Sequence, residues 1–303
     1  MFTVIGEALV DVVYRPGVAV PAEHVGGSPA NVALGLARLG DRVGLITQYG
    51  PDERGARIAA RLGGAGVALD RSDSAAARTA TATARLGPDG AAGYEFDLNW
   101  APKDLTPYPG SVAVHAGSLA TLAPGDALLA ETLAAVRGDL VVSYDPNMRP
   151  TLHGPLARAR AQVDRFVSLA HLVKASADDL AWLYPGEPVE AVADRWLAAG
   201  PDLVVITSGA DGALLATRSV RVRCPAPPVD VVDTVGAGDA CMAGLLDGLY
   251  RAGVLTTGAL PALAEDTARE VLYRALTAAA ITCGRPGADP PTAAELAARL
   301  TAA

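Results

Sequence analysis

The run Asp233-Thr234-Val235-Gly236-Ala237-Gly238-Asp239-Ala240-Cys241 holds a carboxylate where a phosphate would be expected. Gly-Ala-Gly lets the backbone turn tightly and leaves its amides bare. The helix expected next, with Ala243, Leu245, Leu246 and Leu249 as its apolar face, adds unpaired N–H groups at its start. Together they make an anion site. Asp239 in that position suits a base beside a phosphoryl group in transfer; the plainer alternative is a carboxylate complementing the helix dipole. A second run, Gly26-Gly27-Ser28-Pro29-Ala30-Asn31, leads into an apolar helix that stops at Gly40. Twin glycines let a small ligand approach the backbone, Pro29 suits a first helical position, and Asn31 can donate to and accept from a hydroxyl. The alternative there is an ordinary helix start with Ser28 as N-cap.

Other phosphate-handling patterns are missing. A P-loop needs a glycine-rich loop ending in Gly-Lys-Ser/Thr. The only two lysines, Lys103 and Lys174, follow Trp100-Ala101-Pro102 and His171-Leu172-Val173. The first strand runs into Gly6-Glu7-Ala8-Leu9, not into a dinucleotide-binding glycine fingerprint. The four histidines are scattered, with no His-Glu-x-x-His. The formal charge of −8 argues against a nucleic-acid partner. No apolar run reaches the ~18 residues of a membrane span, and the N-terminus lacks a basic region and cleavage site. Cys224, Cys241 and Cys283 form no C-x-x-C pair, which suits reduced thiols in a cytoplasmic protein.

The elements that must position these residues follow from periodicity. Core strands are expected at Phe2–Ile5, Val43–Thr47, Val112–His115, Leu140–Tyr144, Leu172–Lys174 and Leu203–Thr207. Helices are expected near Pro29–Leu39, Gly55–Leu62, Ala127–Val136, Leu156–Ala170 and Val189–Ala198, and then near Gly238–Ala252, Asp266–Thr282 and Thr292–Leu300. Strand and helix in alternation predict an α/β fold with a mostly parallel sheet covered on both faces. Two segments break the rhythm: Ala8–Tyr14 before a Pro16-Gly17 turn, and a hairpin of Thr79–Leu86 and Tyr94–Leu98 around Gly87-Pro88-Asp89-Gly90. They predict either a small separate sheet acting as a lid, from about 8–20 and 78–100, or ordinary hairpins at the domain edge. A separate sheet would expose an apolar face containing Val10, Val12 and Leu86. Isolated small sheets are marginal, so a second subunit is expected to cover it, giving a homodimer through the lid.

In these segments the chain resembles the ribokinase-like (PfkB) carbohydrate kinases. Gly6-Glu7-Ala8-Leu9-Val10-Asp11 is similar to the opening strand of bacterial fructokinases. His115-Ala116-Gly117-Ser118, Asp145-Pro146-Asn147-Met148-Arg149 and Thr207-Ser208-Gly209-Ala210-Asp211-Gly212 follow in the family's order and spacing. The resemblance covers nearly all of residues 1–303 and implies one ribokinase-like domain with a β lid. It further implies that Asp11, Gly27 and Asn31 bind sugar hydroxyls, that Asp239 is the base, and that the amides of Ala237, Gly238 and Asp239, in the catalytic segment opened by Gly236, form the anion hole. Thr207, Gly209 and Gly212 would lie on the ATP side, and Asn147 and Arg149 would meet the substrate or phosphate. Lys174-Ala175-Ser176-Ala177-Asp178-Asp179 takes the place of the family's N-x-x-E element, with Ser176 for Asn and Asp179 for Glu. Lys174 and Ser176 would serve the nucleotide, and Asp179 would act on Mg2+ through water. Asp233 matches a residue that lines a K+ site in several relatives.

The first strand and Asp145-Pro146-Asn147 favour fructose, phosphorylated at its 6-hydroxyl. One departure is the stretch Tyr94-Glu95-Phe96-Asp97-Leu98-Asn99-Trp100, which lacks the arginine common in fructokinases and carries two acids. An acidic lid facing the sugar would disfavour anionic substrates. Ribose, another ketose, a nucleoside and 2-keto-3-deoxygluconate remain alternatives, as does a relative that binds sugar or nucleotide without catalysis. The intact Gly236–Asp239 segment speaks against the last.

Overall fold

A computed structural model describes residues 1–18, 20–70, 77–86 and 92–302. Its strands are β1 (Phe2–Ile5), β2 (Leu9–Tyr14), β3 (Ala22–Gly26), β4 (Val43–Ile46), β5 (Ala68–Asp70), β6 (Thr81–Leu86), β7 (Ala92–Asp97), β8 (Ala113–Gly117), β9 (Val141–Asp145), β10 (Leu172–Ser176), β11 (Leu203–Thr207), β12 (Ala213–Ala216) and β13 (Arg221–Cys224). Its helices are α1 (Ser28–Arg38), α2 (Glu53–Gly64), α3 (Asp126–Val136), α4 (Pro150–His153), α5 (Leu156–Leu169), α6 (Ala177–Leu183), α7 (Val189–Ala199), α8 (Ala237–Arg251), α9 (Glu265–Cys283) and α10 (Ala293–Thr301).

Nine strands form the main sheet in the order β13-β12-β11-β10-β9-β8-β1-β4-β5. From β11 to β5 neighbouring strands run parallel, while β12 and β13 turn back antiparallel. Side chains alternate along each strand, and here both faces are buried. Phe2, Val4, Leu203 and Val205 face one apolar core with residues of α1, α2, α8 and α9. Ile5, Val114, Val204 and Ile206 face the other, with residues of α3, α5, α6 and α7. This is the two-sided α/β sheet expected from the sequence.

The interrupting segments form a separate four-stranded sheet, β3-β2-β6-β7, with β2 and β6 parallel and both outer pairs antiparallel. It includes β3, which the sequence reading lacks. The hairpin apex at Gly87-Pro88-Asp89-Gly90 lies outside the described residues, and so does the side chain of Leu86.

Two expectations about this sheet are corrected. Val10 and Val12 are buried, at 0% and 3% exposure, in the chain's own core. Strands β2 and β3 pack on α2, and Arg54 and Arg57 of α2 clasp Glu23 on β3. Asp52, the N-cap of α2, also accepts the Thr79 amide and hydroxyl just before β6. The face expected to need a second subunit is therefore covered within the chain. The acids at 95 and 97 do not face the cleft either. Asp97 pairs with Arg78 on the outside, Glu95 is exposed, and Phe96 between them faces inward. Alternation along β7 settles this, because neighbouring side chains leave opposite faces.

The other missed strands, β5, β12 and β13, are short or lie at sheet edges. Arg221 and Arg223 on β13 point outward and pair with Asp194 and Glu190. Charges on an edge strand guard it against pairing with another chain, and they also dilute its apolar signal.

Candidate active site

One cleft of about 1690 Å3 runs between the inner face of the small sheet and the C-terminal ends of the main strands. Its floor is the start of α8. Gly236 is the N-cap there, in the left-handed conformation with φ 77°, which favours glycine. A Cβ at this position would lie 2.5 Å from the Ala288 Cβ. The turn therefore points the first amides of α8 into the cleft without a side chain in the way.

Asp239 is 7% exposed and does not cap its own helix. Its carboxylate reaches across to α1, where Oδ1 accepts from Ser28 Oγ at 2.7 Å and Oδ2 from Asn31 Nδ2 at 2.9 Å. Asp239 therefore spends both oxygens on α1, while its place in the first turn of α8 still suits the helix dipole, and Ser28 is not the N-cap of α1. The N-cap of α1 is Gly27, with φ 102° and no side-chain cap. A Cβ on Gly27 would meet the Glu7 carbonyl at 2.5 Å. Burial pushes the Asp239 carboxyl above its ordinary range, while the bonds from Ser28 and Asn31 pull it back. A buried carboxyl of this kind is poised to take a proton from a weakly acidic partner.

Lys174 on β10 lies beside this carboxylate. Its Nζ donates to Asp145 Oδ2 at 2.6 Å, with both side chains nearly inaccessible. Burial alone would lower the ammonium pKa, but the charge and hydrogen bond of Asp145, with Cys241 and Asp239 adding to them, raise it. The same Nζ stands 3.5 Å from where a Gly238 Cβ would be, so a positive charge backs the bare amides. In the sequence Asp145 stands out only as a lone acid closing an apolar strand.

The small sheet supplies Leu9, Asp11, Ala82 and Phe96 to the cleft. Burial pushes Asp11 up to about 6, with Arg149 opposing and Asp239 adding to the shift. Gly26, across the β2–β3 pair, leaves room for this side chain: a Cβ there would sit 2.2 Å from Asp11 Oδ2. Asn147 adopts φ 39°, uncommon for a residue other than glycine. Arg149 donates to the Asn147 and Met148 carbonyls and to Asn147 Oδ1 at 2.7–3.1 Å. Both residues line the cleft.

The chain is a member of the pfkB family of carbohydrate kinases. The family model matches residues 2–295. The chain is 36% identical over 276 residues to a fructokinase from Klebsiella pneumoniae, covering 88% of this chain and 89% of the relative. Its fold superposes on a fructokinase with bound ATP from Xylella fastidiosa at a TM-score of 0.85 and 25% identity, covering 99% and 98% of the two chains. A fructokinase double mutant from Vibrio cholerae O395, in a form with fructose, ADP and potassium ion bound, gives a TM-score of 0.79 at 26% identity over 99% and 97%.

In this kinase the remaining predicted residues lie at the other end of the same cleft. Thr207 closes β11, and Gly209 and Gly212 flank the short turn between β11 and β12. Ser176 and Asp179 form a reciprocal capping box at the start of α6. Asp179 Oδ2 accepts from the Ser176 amide and hydroxyl, and Oδ1 accepts from the Met148 amide at 2.9 Å. Asp233 accepts from the Val235 and Gly287 amides at 3.0 and 2.8 Å, tying the loop before α8 to the loop after α9. All sixteen residues predicted from sequence line this one cleft. Glu7, Ser28, Asp145 and Phe96 join them there without having been assigned roles.

Proposed function

We propose that this kinase transfers the γ-phosphate of ATP to a primary hydroxyl of a neutral sugar, with D-fructose the substrate and its 6-hydroxyl the acceptor. The observation that carries this reading is the carboxylate of Asp239, held by Ser28 and Asn31 beside the bare amides that open α8. A sugar hydroxyl is a very weak acid, and Asp239 takes its proton as attack on the γ-phosphorus proceeds. The amides of Ala237, Gly238 and Asp239, backed by Lys174, oppose the charge that moves toward the β–γ bridge. Positioning and electrostatics carry most of the catalysis in such a loose transition state.

Asp11, Gly27 and Asn31 hold the sugar hydroxyls, while Thr207, Gly209 and Gly212 flank the nucleotide. Mg2+ enters as MgATP. Among the described residues no three acidic, His or Cys side chains gather as a metal cage, and both Asp179 oxygens already accept protein hydrogen bonds. Asp179 would act on the cation through water, as suits an ion that keeps much of its hydration shell. Asp233 is the residue assigned to a K+ site, a reading encouraged by the fructokinase from Vibrio cholerae found with potassium ion bound.

Preference for a neutral sugar no longer rests on Glu95 and Asp97. It rests on Asp11 and Glu7 lining the sugar end, with Arg149 bonded to nearby oxygens of Asn147 and Met148. The small sheet acts as a lid that excludes water, which would otherwise hydrolyse ATP. A homodimer would pair through that lid, where Val18 and Val20 in the β2–β3 connection are exposed; among the described residues no helix is long and apolar enough to cross a membrane, and a cytoplasmic location is proposed from the thiols, which suit a reducing compartment. A coupled ADP-release assay over neutral sugars, sugar acids and nucleosides tests the substrate. Fructose should give the highest kcat/KM, and a tenfold preference for 2-keto-3-deoxygluconate or a riboside would overturn it.

A further inference from the structure

Strand β1 ends at Ile5, and the chain turns through Gly6 into Glu7 before β2 begins at Leu9. Glu7 is 5% exposed and lies in the cleft wall. Its carboxyl rests against the Ser118 hydroxyl and the Leu119 amide, in the turn that follows β8. Ser118 holds φ 52°, a left-handed conformation that few residues other than glycine adopt. Yet Glu7 Oε2 has no hydrogen-bond partner among the described residues. Buried polar atoms are nearly always paired, and an orphan needs an explanation.

Countercharge is also scarce. Arg149 is the charged group that acts on Glu7, and its guanidinium is bonded to oxygens of Asn147 and Met148. Asp11 and Asp239, the acids further along the cleft, offer no positive charge. Burial accordingly pushes the Glu7 carboxyl up to about 7.

We propose that Glu7 is a sugar-recognition residue: its orphaned Oε2 bonds to a hydroxyl of the bound sugar. This rests on the reading that the Asp11 end of the cleft holds the sugar. A neutral carboxyl donates as well as accepts, so it matches a polyol and offers nothing to a carboxylate-bearing substrate that Arg149 could not offer better.

Two variants test it. Glu7→Gln keeps the shape and a donor, whereas Glu7→Leu removes every polar atom. In Glu7→Leu the KM for sugar should rise about tenfold or more, the equivalent of one good hydrogen bond, with the KM for ATP and the sugar-independent ATP hydrolysis unchanged. Thermal stability should fall somewhat, because the buried Ser118 hydroxyl and Leu119 amide lose their acceptor, so the sugar KM is compared on protein shown to be folded. Across a panel of monodeoxy sugars, one member should bind wild type and Glu7→Leu equally well.

Glu7→Gln should keep the sugar KM within about threefold of wild type. The wild-type kcat/KM for sugar should fall as pH rises through about 7, and Gln should abolish that limb while sparing the acid limb set by Asp11 and Asp239. An unchanged sugar KM in Glu7→Leu overturns the proposal. If that variant does not fold, the same alkaline limb in Glu7→Gln as in wild type overturns it instead. Wild type that turns over no sugar at all sinks the parent reading along with this one, an outcome distinct from active variants without a defect.

Discussion

Ser28 and Asp239 are separated by 211 residues in the chain and by 2.7 Å in space, joined by a hydroxyl-to-carboxylate hydrogen bond. That bond links the first residue of α1 to the first turn of α8, so the two most informative segments of the sequence meet at one carboxyl. It also favours the ionised form of Asp239 against the burial that raises its pKa. Ser28→Ala should therefore raise that pKa further. A base must be ionised to work, so kcat should fall off at a higher pH on the acid side than in wild type. A bond to a charged group contributes about 1.5–3 kcal/mol, and one pH unit corresponds to about 1.4 kcal/mol, which puts the shift at about one to two units. A pH–rate profile of the two proteins checks it; coincident acid limbs would remove Ser28 from the control of the base.

Gly26→Ala should separate sugar binding from stability. The added Cβ would fall 2.2 Å from Asp11 Oδ2, and no positive φ stands in the way at this position. The atom that must move is the end of a flexible side chain, so folding should be little affected while Asp11 is turned away from the sugar. The expected result is a sugar KM raised about tenfold, one hydrogen bond's worth, with the KM for ATP unchanged. A defect confined to ATP would show that Asp11 serves the nucleotide instead.

The sequence made the main sheet legible because its strands are buried on both faces and read as short apolar runs between amphipathic helices. Phe2–Ile5 and Leu203–Thr207 agree with the structure to the residue. It made β3 and β13 hard to find because Glu23 and His24 in one, and Arg221 and Arg223 in the other, leave few apolar positions in each. The Asp239 segment was recognisable from its glycines and the following helix. Its partners were not, since no local pattern tells that Ser28 turns toward a residue on α8 instead of capping α1. The burial of Val10 and Val12 was missed for a related reason. Alternation shows that a strand has an apolar face, but which neighbour covers it is a tertiary fact, here supplied by α2.

Lys174→Met should cost more stability than an exposed substitution, because it strands the Asp145 carboxylate in the interior. Both side chains of the pair are at most 4% exposed. Breaking such a pair typically costs about 3–5 kcal/mol, whereas replacing both members with apolar residues of similar size is often neutral. The expected outcome in chemical denaturation is a clear loss for Lys174→Met that is largely restored in the double variant with Asp145→Leu. Activity should not return in the double variant, since the charge behind the Gly238 amide is gone. Recovery of both stability and rate would make the pair purely structural.

Asp239→Asn keeps the shape of the side chain and removes the base. The variant can preserve the local bonds: the amide oxygen accepts from Asn31 Nδ2, and the amide nitrogen donates to Ser28 Oγ once that hydroxyl rotates. The anion hole is made of backbone amides and rests on Gly236, so it should survive as well. ATP and sugar should then bind with affinities changed only modestly. Loss of a general base typically costs about 10²–10⁴-fold in rate, and it should appear in kcat rather than KM. If Asp239 only steadied the junction of α1 and α8, the asparagine would do nearly as well and the rate would barely move. The two roles thus differ by orders of magnitude in a single steady-state measurement on a protein whose fold is checked by its thermal transition. A folded Asp239→Asn kinase that keeps more than about a tenth of the wild-type kcat, well above the general-base expectation, would remove Asp239 from the chemistry and return it to the packing of the two helices.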